Sequence, residues 1–482
     1  MADPRPNIVF ILVDQWRADC LGAAGHPVVE TPHLDRLFAE GTRFERAYAA
    51  VPSCIAARAS ILTGLTPRHH GRVGYRERVP WDYEYTLPGL LSAAGYQTHC
   101  VGKMHVHPTR RRLGFDEVRL HDGYLHVVRD GASDYAGDDD YLVWLRERLG
   151  VGADTIDLGL GCNGYVARAW TQDEMLHPSS WVVTQAIDFL RRRDPTCPFF
   201  LNLSFHRPHP PLDPPRSYLD LYRDKRLPPV SVGSWVDPEQ PLPANFFDSP
   251  APGSVDEVDR ARRAYYAQLT HIDTQLNRLT MALTEHRVLP NTAFLFCSDH
   301  GELLYDHNLV GKRYPYEGSV RVPLLLRPPP RWRAPLAATS DAPVELRDIL
   351  PTCCEIAGVD VPGSIDGESL LALARGERDG WREYVHGEHA SDGLQDVAAS
   401  NHWITDGREK YVWFSQTGRE QLFDLLEDPR ELQDRSEQRP ERVDAWRRRL
   451  IRELEGREEG YVEGGKLQVG RPPVSVLQEA GL

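Results

Sequence analysis

The feature that most constrains the fold of this chain is a series of apolar runs, each as long as one strand. The first reads NIVFILV over Asn7–Val13, and a continuous run of this kind is typical of a parallel strand buried on both faces. Further strand-length runs occupy Gln97–Val101, Phe199–Phe205, Ala293–Cys297 and Val322–Arg327. Helical patterns separate them, so the sequence predicts an α/β fold with a large, mostly parallel, doubly wound sheet flanked by helices.

The helices are recognised by their caps and by their apolar spacing. Thr31 and Pro32 supply an N-cap and a first-turn proline, and Gly41 ends that helix. The same pattern recurs between Thr86 and Gly95. Further helices are predicted over Trp181–Arg193, Ser254–His286 and Val344–Ala357.

The pattern of elements changes near Trp381. The short strands and the charged helix predicted after this point are Ser400–Thr405, Lys410–Phe414, Gln421–Leu425 and Arg439–Arg457. They indicate a small C-terminal antiparallel α+β subdomain. We therefore expect a large domain over 1–380, with a long proline-rich loop over 207–255, and a subdomain over 381–482.

The composition excludes several classes of protein. The 482 residues carry a formal charge of −14 and show no basic stripe, which argues against a nucleic-acid binder. No apolar run approaches the roughly 18–20 residues of a membrane span. The N-terminal apolar run follows MADPRPN without the basic stretch of a secretory signal, so we expect a cytoplasmic protein whose eight cysteines are reduced.

Charged and metal-binding side chains follow four of the predicted strands. In open α/β sheets, ligands bind beyond the carboxyl ends of the strands, so residues at these ends share one cleft. They are Asp14 and Gln15, Lys103 and His105, His206 and His209, and Asp299 and His300. A single residue of this kind is commonly a helix cap, but four strand ends together indicate a binding or catalytic site.

Part of this set suits a metal ion. Asp14, Gln15 and Asp299 supply hard oxygen ligands for Ca²⁺, Mg²⁺ or Mn²⁺. His300 adds a nitrogen, which leaves the identity of the cation open. The sequence has no Cys/His spacing of the structural zinc type.

The most specific segment of the chain is CIAARASILTG, which covers Cys54–Gly64. Ser53 precedes a helix-capable run, which places Cys54 at a helix N-terminus, where backbone N–H groups favour an anion. Arg58 follows four residues later on the same helix face. A thiol in that position has a lowered pKa and is reactive. The segment alone leaves a buried structural cysteine open as the alternative.

This segment resembles the signature of the type I sulfatases of the alkaline phosphatase superfamily, which is C-x-P/A-x-R, a short spacer and L-T-G. Other family segments recur in the family's order over nearly the whole chain. They are DQWRAD (14–19), GKMH (102–105), HRPHPP (206–211), SDHGELLYDH (298–307), GK (311–312), YEGSVRVPLLLR (316–327) and QLFDLLEDPRE (421–431). The resemblance implies an alkaline-phosphatase-like fold and a catalytic sulfatase domain over 1–380.

The resemblance also implies a modified nucleophile. In this family a separate maturation enzyme, formylglycine-generating or radical, oxidises the motif cysteine to Cα-formylglycine, which we carry over to Cys54. One hydroxyl of the aldehyde hydrate attacks sulfur, and the other expels sulfate and regenerates the aldehyde. One divalent cation, Ca²⁺ in preference to Mn²⁺ or Mg²⁺, is then expected on the metal ligands Asp14, Gln15, Cys54 (as formylglycine), Asp299 and His300.

The remaining catalytic roles are implied in the same way. Arg58 steadies the hydrate and the carboxylates of the metal site. Lys103 and His105 contact the nucleophile, with His105 as the base for collapse of the hemiacetal. His209 and Lys312 bind the ester oxygen between sulfur and the leaving group, and one of them protonates it.

The chain departs from the commonest family pattern at two positions. Position 56 is Ala where many members have Pro. The conversion of Cys54 therefore requires a maturation enzyme that accepts the C-x-A-x-R form of the motif. Gln15 replaces a second Asp, as in choline-sulfatase-like enzymes and phosphonate monoester hydrolases. His206 is a weaker candidate than His209, because the family match centres on the later histidine of HRPHPP.

We therefore predict hydrolysis of a small aryl, sugar or alkyl sulfate. A phosphonate monoester or phosphodiester hydrolase is the first alternative, although Lys103 and His105 favour sulfate esters. A noncatalytic metal-binding member is the second, and it would be expected to have lost a residue such as Cys54, Arg58 or Lys312. Candidates for the rim of the leaving-group pocket are Tyr75, Arg76, Arg78, Trp81, His107 and Arg110–Arg112.

Overall fold

The computed structural model describes residues 5–123, 138–154, 158–237, 239, 254–333, 335–391, 399–474 and 477. Among these residues, eight strands form one large sheet in the order β4-β3-β5-β1-β6-β7-β2-β8. In chain order they are β1 (Asn7–Asp14), β2 (Thr42–Tyr48), β3 (Gln97–Gly102), β4 (Glu117–Leu120), β5 (Phe199–Pro208), β6 (Thr292–Ser298), β7 (Leu324–Arg327) and β8 (Thr339–Glu345).

Strand β1 lies between β5 and β6 and pairs in parallel with both, so that Ile8 is opposite Phe200 on one side and Ala293 on the other. Strand β3 is parallel to β5 and β4, whereas β7 is antiparallel to β6 and β2. The sheet is therefore mostly parallel, as the sequence predicts. Because β3, β5, β1 and β6 are adjacent and parallel, their carboxyl ends lie at one edge.

Helices cover both faces of the large sheet. Those of the described residues are α1 (Pro32–Leu37), α2 (Cys54–Thr63), α3 (Pro67–His70), α4 (Leu87–Ala93), α5 (Asp140–Leu149), α6 (Pro178–Arg192), α7 (Arg216–Leu221), α8 (Val255–Glu285), α9 (Glu317–Val320), α10 (Ile349–Ala357), α11 (Leu371–Ala374) and α12 (Pro440–Leu454). None of these helices combines the length and the apolar content that crossing a membrane requires.

The side chains of β1 pack into two apolar layers, one on each face of the sheet. Val9 and Ile11 pack with residues of α5, α6 and α8, whereas Ile8, Phe10 and Leu12 pack with residues of α2, α4 and α10. Successive strand residues point to opposite faces, so a strand covered by helices on both faces needs apolar residues at every position. This arrangement explains the continuous apolar run from which the fold is predicted.

A second sheet lies in the C-terminal part of the chain. Its antiparallel strands are β9 (Val385–His389), β10 (Asn401–Thr405), β11 (Glu409–Phe414) and β12 (Glu420–Asp424). Trp446 and Leu450 of α12 pack with Trp413 on one face, while Trp403 on the other face contacts Tyr48 of β2. The predicted small antiparallel sheet is confirmed, and the domain boundary at residue 380 stays a prediction.

Several predicted elements differ from the structure. The helix predicted over Val344–Ala357 begins at Ile349, because Val344 and Glu345 complete β8. The loop predicted over 207–255 includes α7, and its residues 240–253 lie outside the described part of the chain. The sequence reading also missed β2, β4, β8, β9 and α5, in which polar residues interrupt the apolar pattern.

Candidate active site

The candidate site lies at the edge of the large sheet where four parallel strands end. Asp14 is the last residue of β1, Asp299 directly follows β6, Lys103 directly follows β3, and His209 directly follows β5. The structure thus brings together the four strand ends singled out in the sequence. Cys54 reaches the same place as the first residue of α2.

Four of the predicted metal ligands form a compact, buried group. Asp14, Cys54, Asp299 and His300 each offer one ligand atom, and these atoms all lie within 4.8 Å of one another. All four side chains are buried. Two carboxylates, an imidazole and the position-54 side chain around one point form a donor set that a divalent cation can occupy.

The imidazole of His300 is oriented by a hydrogen bond to the backbone. Its Nδ1 lies 2.9 Å from the carbonyl oxygen of Gly301, so Nδ1 carries the proton and donates it. Its Nε2 lies 3.1 Å from Cys54 Sγ and 3.4 Å from Asp14 Oδ1, and the charges of Asp299 and Cys54 outweigh burial and raise the pKa of this imidazole. A hydrogen bond that fixes the tautomer in this way is the usual support of a metal-bound histidine.

The thiol of Cys54 occupies an electropositive position. Burial and the carboxylate of Asp14 by themselves raise its pKa, but the positive charges of Lys103, Lys312 and His300 outweigh them. The pKa of the Cys54 thiol is therefore held well below its usual range. The N-terminus of α2 adds unpaired backbone N–H groups that favour negative charge at this residue.

Arg58 connects the metal-ligand group to the neighbouring strands. Its Nε donates to Asp299 Oδ2 at 2.9 Å, and its Nη1 donates to the Lys103 carbonyl at 2.7 Å and to Ser204 Oγ at 2.9 Å. Its Nη2 lies 3.7 Å from Asp14 Oδ2. Placed one helical turn after Cys54, this buried guanidinium offsets the charge of two carboxylates that would otherwise repel each other.

Lys103 and His105 differ in their contacts. Lys103 Nζ lies 2.5 Å from Asp14 Oδ2, and both side chains are fully buried. His105 instead lies with Nε2 3.0 Å from Glu77 Oε1, and the Tyr75 ring packs edge-on against its imidazole. Lys103 is thus part of the charged cluster, whereas His105 is paired with a carboxylate that the sequence analysis missed.

His209 and Lys312 have different hydrogen-bond partners at the site. His209 donates from Nδ1 to the Pro210 carbonyl at 2.9 Å. Burial, with the charges of Lys312 and Lys103, holds the pKa of His209 well below its usual range, so its imidazole is neutral and its Nε2 carries a lone pair. Lys312 Nζ donates to Gln15 Oε1 at 2.7 Å.

His206 lies beside His209 but has a different partner. The centroids of the two rings are 5.0 Å apart. Nη1 of Arg207 lies 2.8 Å from His206 Nδ1 and donates to it, and the Arg207 guanidinium is itself bound by both carboxylate oxygens of Asp213. His206 is therefore buried and fixed by its own sequence neighbour.

The sequence did not indicate a role for several residues that lie near the site. Glu302 contacts Gln15 directly, and it lies within the quoted segment SDHGELLYDH, which was a signal that could have pointed to it. His389 is buried at the end of β9, where burial and then the charges of Arg313 and His300 lower its pKa to about 3. No local pattern marks His389, because it approaches from the separate small sheet.

The predicted rim residues are only partly near the site. Tyr75 contacts His105 as described, but Trp81 is buried in the apolar layer that includes α2 and α4. Arg110 and Arg111 form ion pairs with Asp140 and Asp82. These two partly exposed arginines are thus engaged in ion pairs outside the group of site residues.

Comparisons with known proteins place the chain in a family. The sequence model of the sulfatase family matches residues 6–359, and that described as N-sulphoglucosamine sulphohydrolase, C-terminal, matches residues 305–458. An arylsulfatase from Clostridium perfringens is 49% identical over 98% of this chain and 99% of its own. A choline-sulfatase from Rhizobium meliloti is 31% identical over 91% of this chain and 83% of its own.

A solved structure of another enzyme has the same fold. The phosphonate monoester hydrolase of Agrobacterium radiobacter aligns with a TM-score of 0.78 and 25% identity, over 93% of this chain and 95% of that chain. The fold and the site at its strand ends therefore define a hydrolase of the alkaline phosphatase superfamily. Within that class the chain belongs to the sulfatase family, and it is a sulfatase.

Proposed function

We propose that this sulfatase hydrolyses a small sulfate monoester through a formylglycine hydrate made from Cys54, with one divalent cation bound beside it. The observation that carries the proposal is the position of Cys54 Sγ. It lies 3.1 Å from the ligand nitrogen of His300 and 3.8 Å from Asp14 Oδ1, at the start of a helix. Such a place suits a nucleophile that is held by both a cation and a helix N-terminus.

Two groups outside the unmodified chain would complete the site. A formylglycine hydrate supplies one hydroxyl to attack sulfur and a second to release sulfate, and a cation supplies Lewis-acid polarisation of a sulfate oxygen. The cation would be held by Asp14, Gln15, position 54, Asp299 and His300. Their oxygen-rich set favours Ca²⁺, with Mn²⁺ and Mg²⁺ as alternatives because of the imidazole nitrogen. A formylglycine-generating or radical enzyme would convert Cys54.

The basic side chains of the site would bind the sulfate group and assist the leaving group. Lys103 and Arg58 offset the carboxylates of Asp14 and Asp299, so that Lys312 and a bound cation would give the site the net positive charge that a dianionic transition state requires. In the resting site the neutral His209 presents an acceptor, whereas Lys312 presents a proton donor. We therefore assign the general acid to Lys312 and a binding role to His209. His105, held by Glu77, remains the proposed base for hemiacetal collapse.

The leaving group is proposed to be aryl, because the arylsulfatase relative matches nearly the whole chain. The test compares kcat/KM for an aryl sulfate, an aryl phosphonate and a phosphodiester, with Cys54→Ala as the background control. We expect the aryl sulfate to have the highest kcat/KM and Cys54→Ala to abolish all three activities. Retention of aryl sulfate turnover by Cys54→Ala would refute the proposed nucleophile.

A phosphonate monoester or phosphodiester hydrolase is the second candidate function. It is favoured by Gln15 and by the shared fold of the Agrobacterium radiobacter enzyme. Higher kcat/KM for the phosphorus substrates in the same experiment would establish it instead. The cytoplasmic location predicted from the sequence stays a prediction.

A further inference from the structure

Glu302 is a buried carboxylate that contacts the side chain of Gln15. It lies in the loop after β6, two residues beyond His300, and is completely buried. Its Oε2 accepts hydrogen bonds from Gln15 Nε2 and from the Tyr165 hydroxyl, the latter at 2.5 Å. Its Oε1 accepts the backbone N–H groups of Leu304 and Gly311, both at 2.7 Å. Four donors thus converge on this one carboxylate.

These contacts fix the orientation of the Gln15 amide. A carboxylate only accepts hydrogen bonds and an ammonium only donates them. The amide nitrogen of Gln15 must therefore face Glu302, and its oxygen must face Lys312, whose Nζ lies 2.7 Å away. The amide oxygen is the only atom of this side chain that can bind a cation, so Glu302 and Lys312 together make Gln15 present its oxygen rather than its N–H group.

Glu302 also restores a negative charge near the cation ligands. Gln15 is neutral, whereas Asp14 and Asp299 are acidic. The carboxylate of Glu302 lies directly behind the amide and polarises it, which makes the amide oxygen a better donor. Outer carboxylates that orient and polarise a metal ligand commonly change metal affinity by about 10–100-fold when they are removed.

The second oxygen of Glu302 holds the loop that carries Lys312. Between the two backbone groups that it binds, the chain adopts left-handed conformations, with φ of 50° at Leu304 and 75° at Tyr305. Such conformations persist only when the surroundings determine them. Gly311 directly precedes Lys312, so the same carboxylate fixes both a cation ligand and the proposed general acid.

We propose that Glu302 is a positioning residue that turns the Gln15 oxygen toward the cation and holds Lys312 beside it. This inference rests on the proposed function in one respect, that a divalent cation binds at this site. Glu302 itself is not a ligand. Its loss is expected to weaken the binding of the cation while every proposed ligand is retained.

The test measures the affinity of chelator-treated protein for Ca²⁺ by isothermal titration. Glu302→Gln is expected to bind Ca²⁺ about 10–100-fold more weakly, because an amide at 302 no longer requires the Gln15 nitrogen to face it. Glu345→Gln is the matched control, since Glu345 is also a buried carboxylate but is the last residue of β8. It should bind Ca²⁺ as the wild type does. Wild-type affinity in Glu302→Gln would overturn the inference.

A double substitution that exchanges the side-chain charges of positions 15 and 302 provides a second test. The double variant Gln15→Asp/Glu302→Gln places the negative charge at position 15 and an amide donor at position 302. Because the ligand is now itself a carboxylate, the affinity for Ca²⁺ should be at least about tenfold higher than that of Glu302→Gln alone. No recovery would contradict the positioning role. If Glu302→Gln fails to fold, Tyr165→Phe is the deciding variant, because it removes the hydroxyl that donates to Glu302 and accepts from Gln15 Nε2. A roughly threefold or larger loss of affinity is expected from the missing hydrogen bonds, and an unchanged affinity would count against the inference.

The outcome separates this inference from the proposed function. If the wild-type protein binds neither Ca²⁺, Mn²⁺ nor Mg²⁺, the proposed cation site itself is wrong. If the wild type binds a cation and Glu302→Gln binds it equally well, only the role of Glu302 is wrong.

Discussion

Lys103 Nζ lies 2.5 Å from Asp14 Oδ2, and neither side chain is exposed to solvent. A compact ammonium fits this enclosed position, whereas a guanidinium is larger and planar. Only five of the 56 basic residues of the chain are lysines, and two of them, Lys103 and Lys312, lie in the candidate site. The choice of lysine here therefore agrees with a requirement for a small cation.

The first prediction concerns this pair. Lys103→Arg keeps the charge but not the shape, and it should lower kcat/KM for an aryl sulfate by about 100-fold, the loss typical of a displaced charge-stabilising donor. Lys466→Arg, at an exposed position, serves as the matched control and should leave kcat/KM unchanged. Equal activity of Lys103→Arg and the wild type would show that Lys103 has no geometric role.

The second prediction concerns Arg58. Lysine at this position can replace only part of the contacts with Asp299, the Lys103 carbonyl and Ser204. Arg58→Lys should therefore lower the free energy of unfolding by about 3 kcal/mol, since buried polar groups lose their partners. Urea unfolding measures this loss, with Arg448→Lys on the exposed face of α12 as the control. A loss no larger than that of the control would contradict the buried network.

The third prediction concerns removal of the cation. Chelator treatment should abolish aryl sulfate hydrolysis, and added Ca²⁺ should restore it. A cation at about 100 times its Kd should stabilise the folded protein by ~2.7 kcal/mol, which appears as a higher Tm. Asp299→Asn should lose this Ca²⁺-dependent rise in Tm. Full activity in excess chelator would exclude a catalytic cation.

The fourth prediction concerns stability in acid. His70 is buried beside Ser60, and burial, with the charge of Arg72, lowers its pKa to about 3. The unfolded chain binds a proton at this residue below pH of about 6.5, while the folded protein does not until the pH falls to about 3. The stabilisation is thus present at neutral pH and is lost as the pH falls through this window.

Between pH 7 and 4.5, His70 should account for a decrease of about 2 kcal/mol in the free energy of unfolding. His70→Gln should show a correspondingly flatter pH dependence, whatever its stability at neutral pH. His286→Gln, at the partly exposed end of α8, should keep the wild-type slope. Identical slopes for all three proteins would show that His70 titrates normally in the folded state.

The sequence was sufficient to predict the strand-end part of the site. Asp14, Lys103 and Asp299 lie directly at the ends of strands with clear apolar patterns, so the topology alone brings them together. Cys54 was recognised from its helix signals and from the family signature. These predictions depend on local sequence and on the general geometry of parallel sheets.

Other contacts could not be read from the sequence, because they depend on loop paths and on residues distant in the chain. Glu77 meets His105 across 28 positions, and Glu302 meets Gln15 across 287. Gln15 and His105 both have a positive φ, a conformation that no propensity of these residue types predicts.

Lys410 is a similar case in the small sheet. Its sequence context gave it no role, yet it is fully buried and forms ion pairs with Glu317 and Glu431. These contacts join β11 of the small sheet to α9. Composition alone could not distinguish this lysine from an exposed one.

The proposed mechanism requires formylglycine at position 54. The most direct measurement is mass spectrometry of the tryptic peptide Ala47–Arg58, from protein purified from its native host. Conversion of Cys54 to formylglycine would give a peptide lighter than the unmodified one by the mass difference between a thiol and an aldehyde. A peptide that carries only the intact Cys54 thiol, in a protein that is active on aryl sulfate, would contradict it.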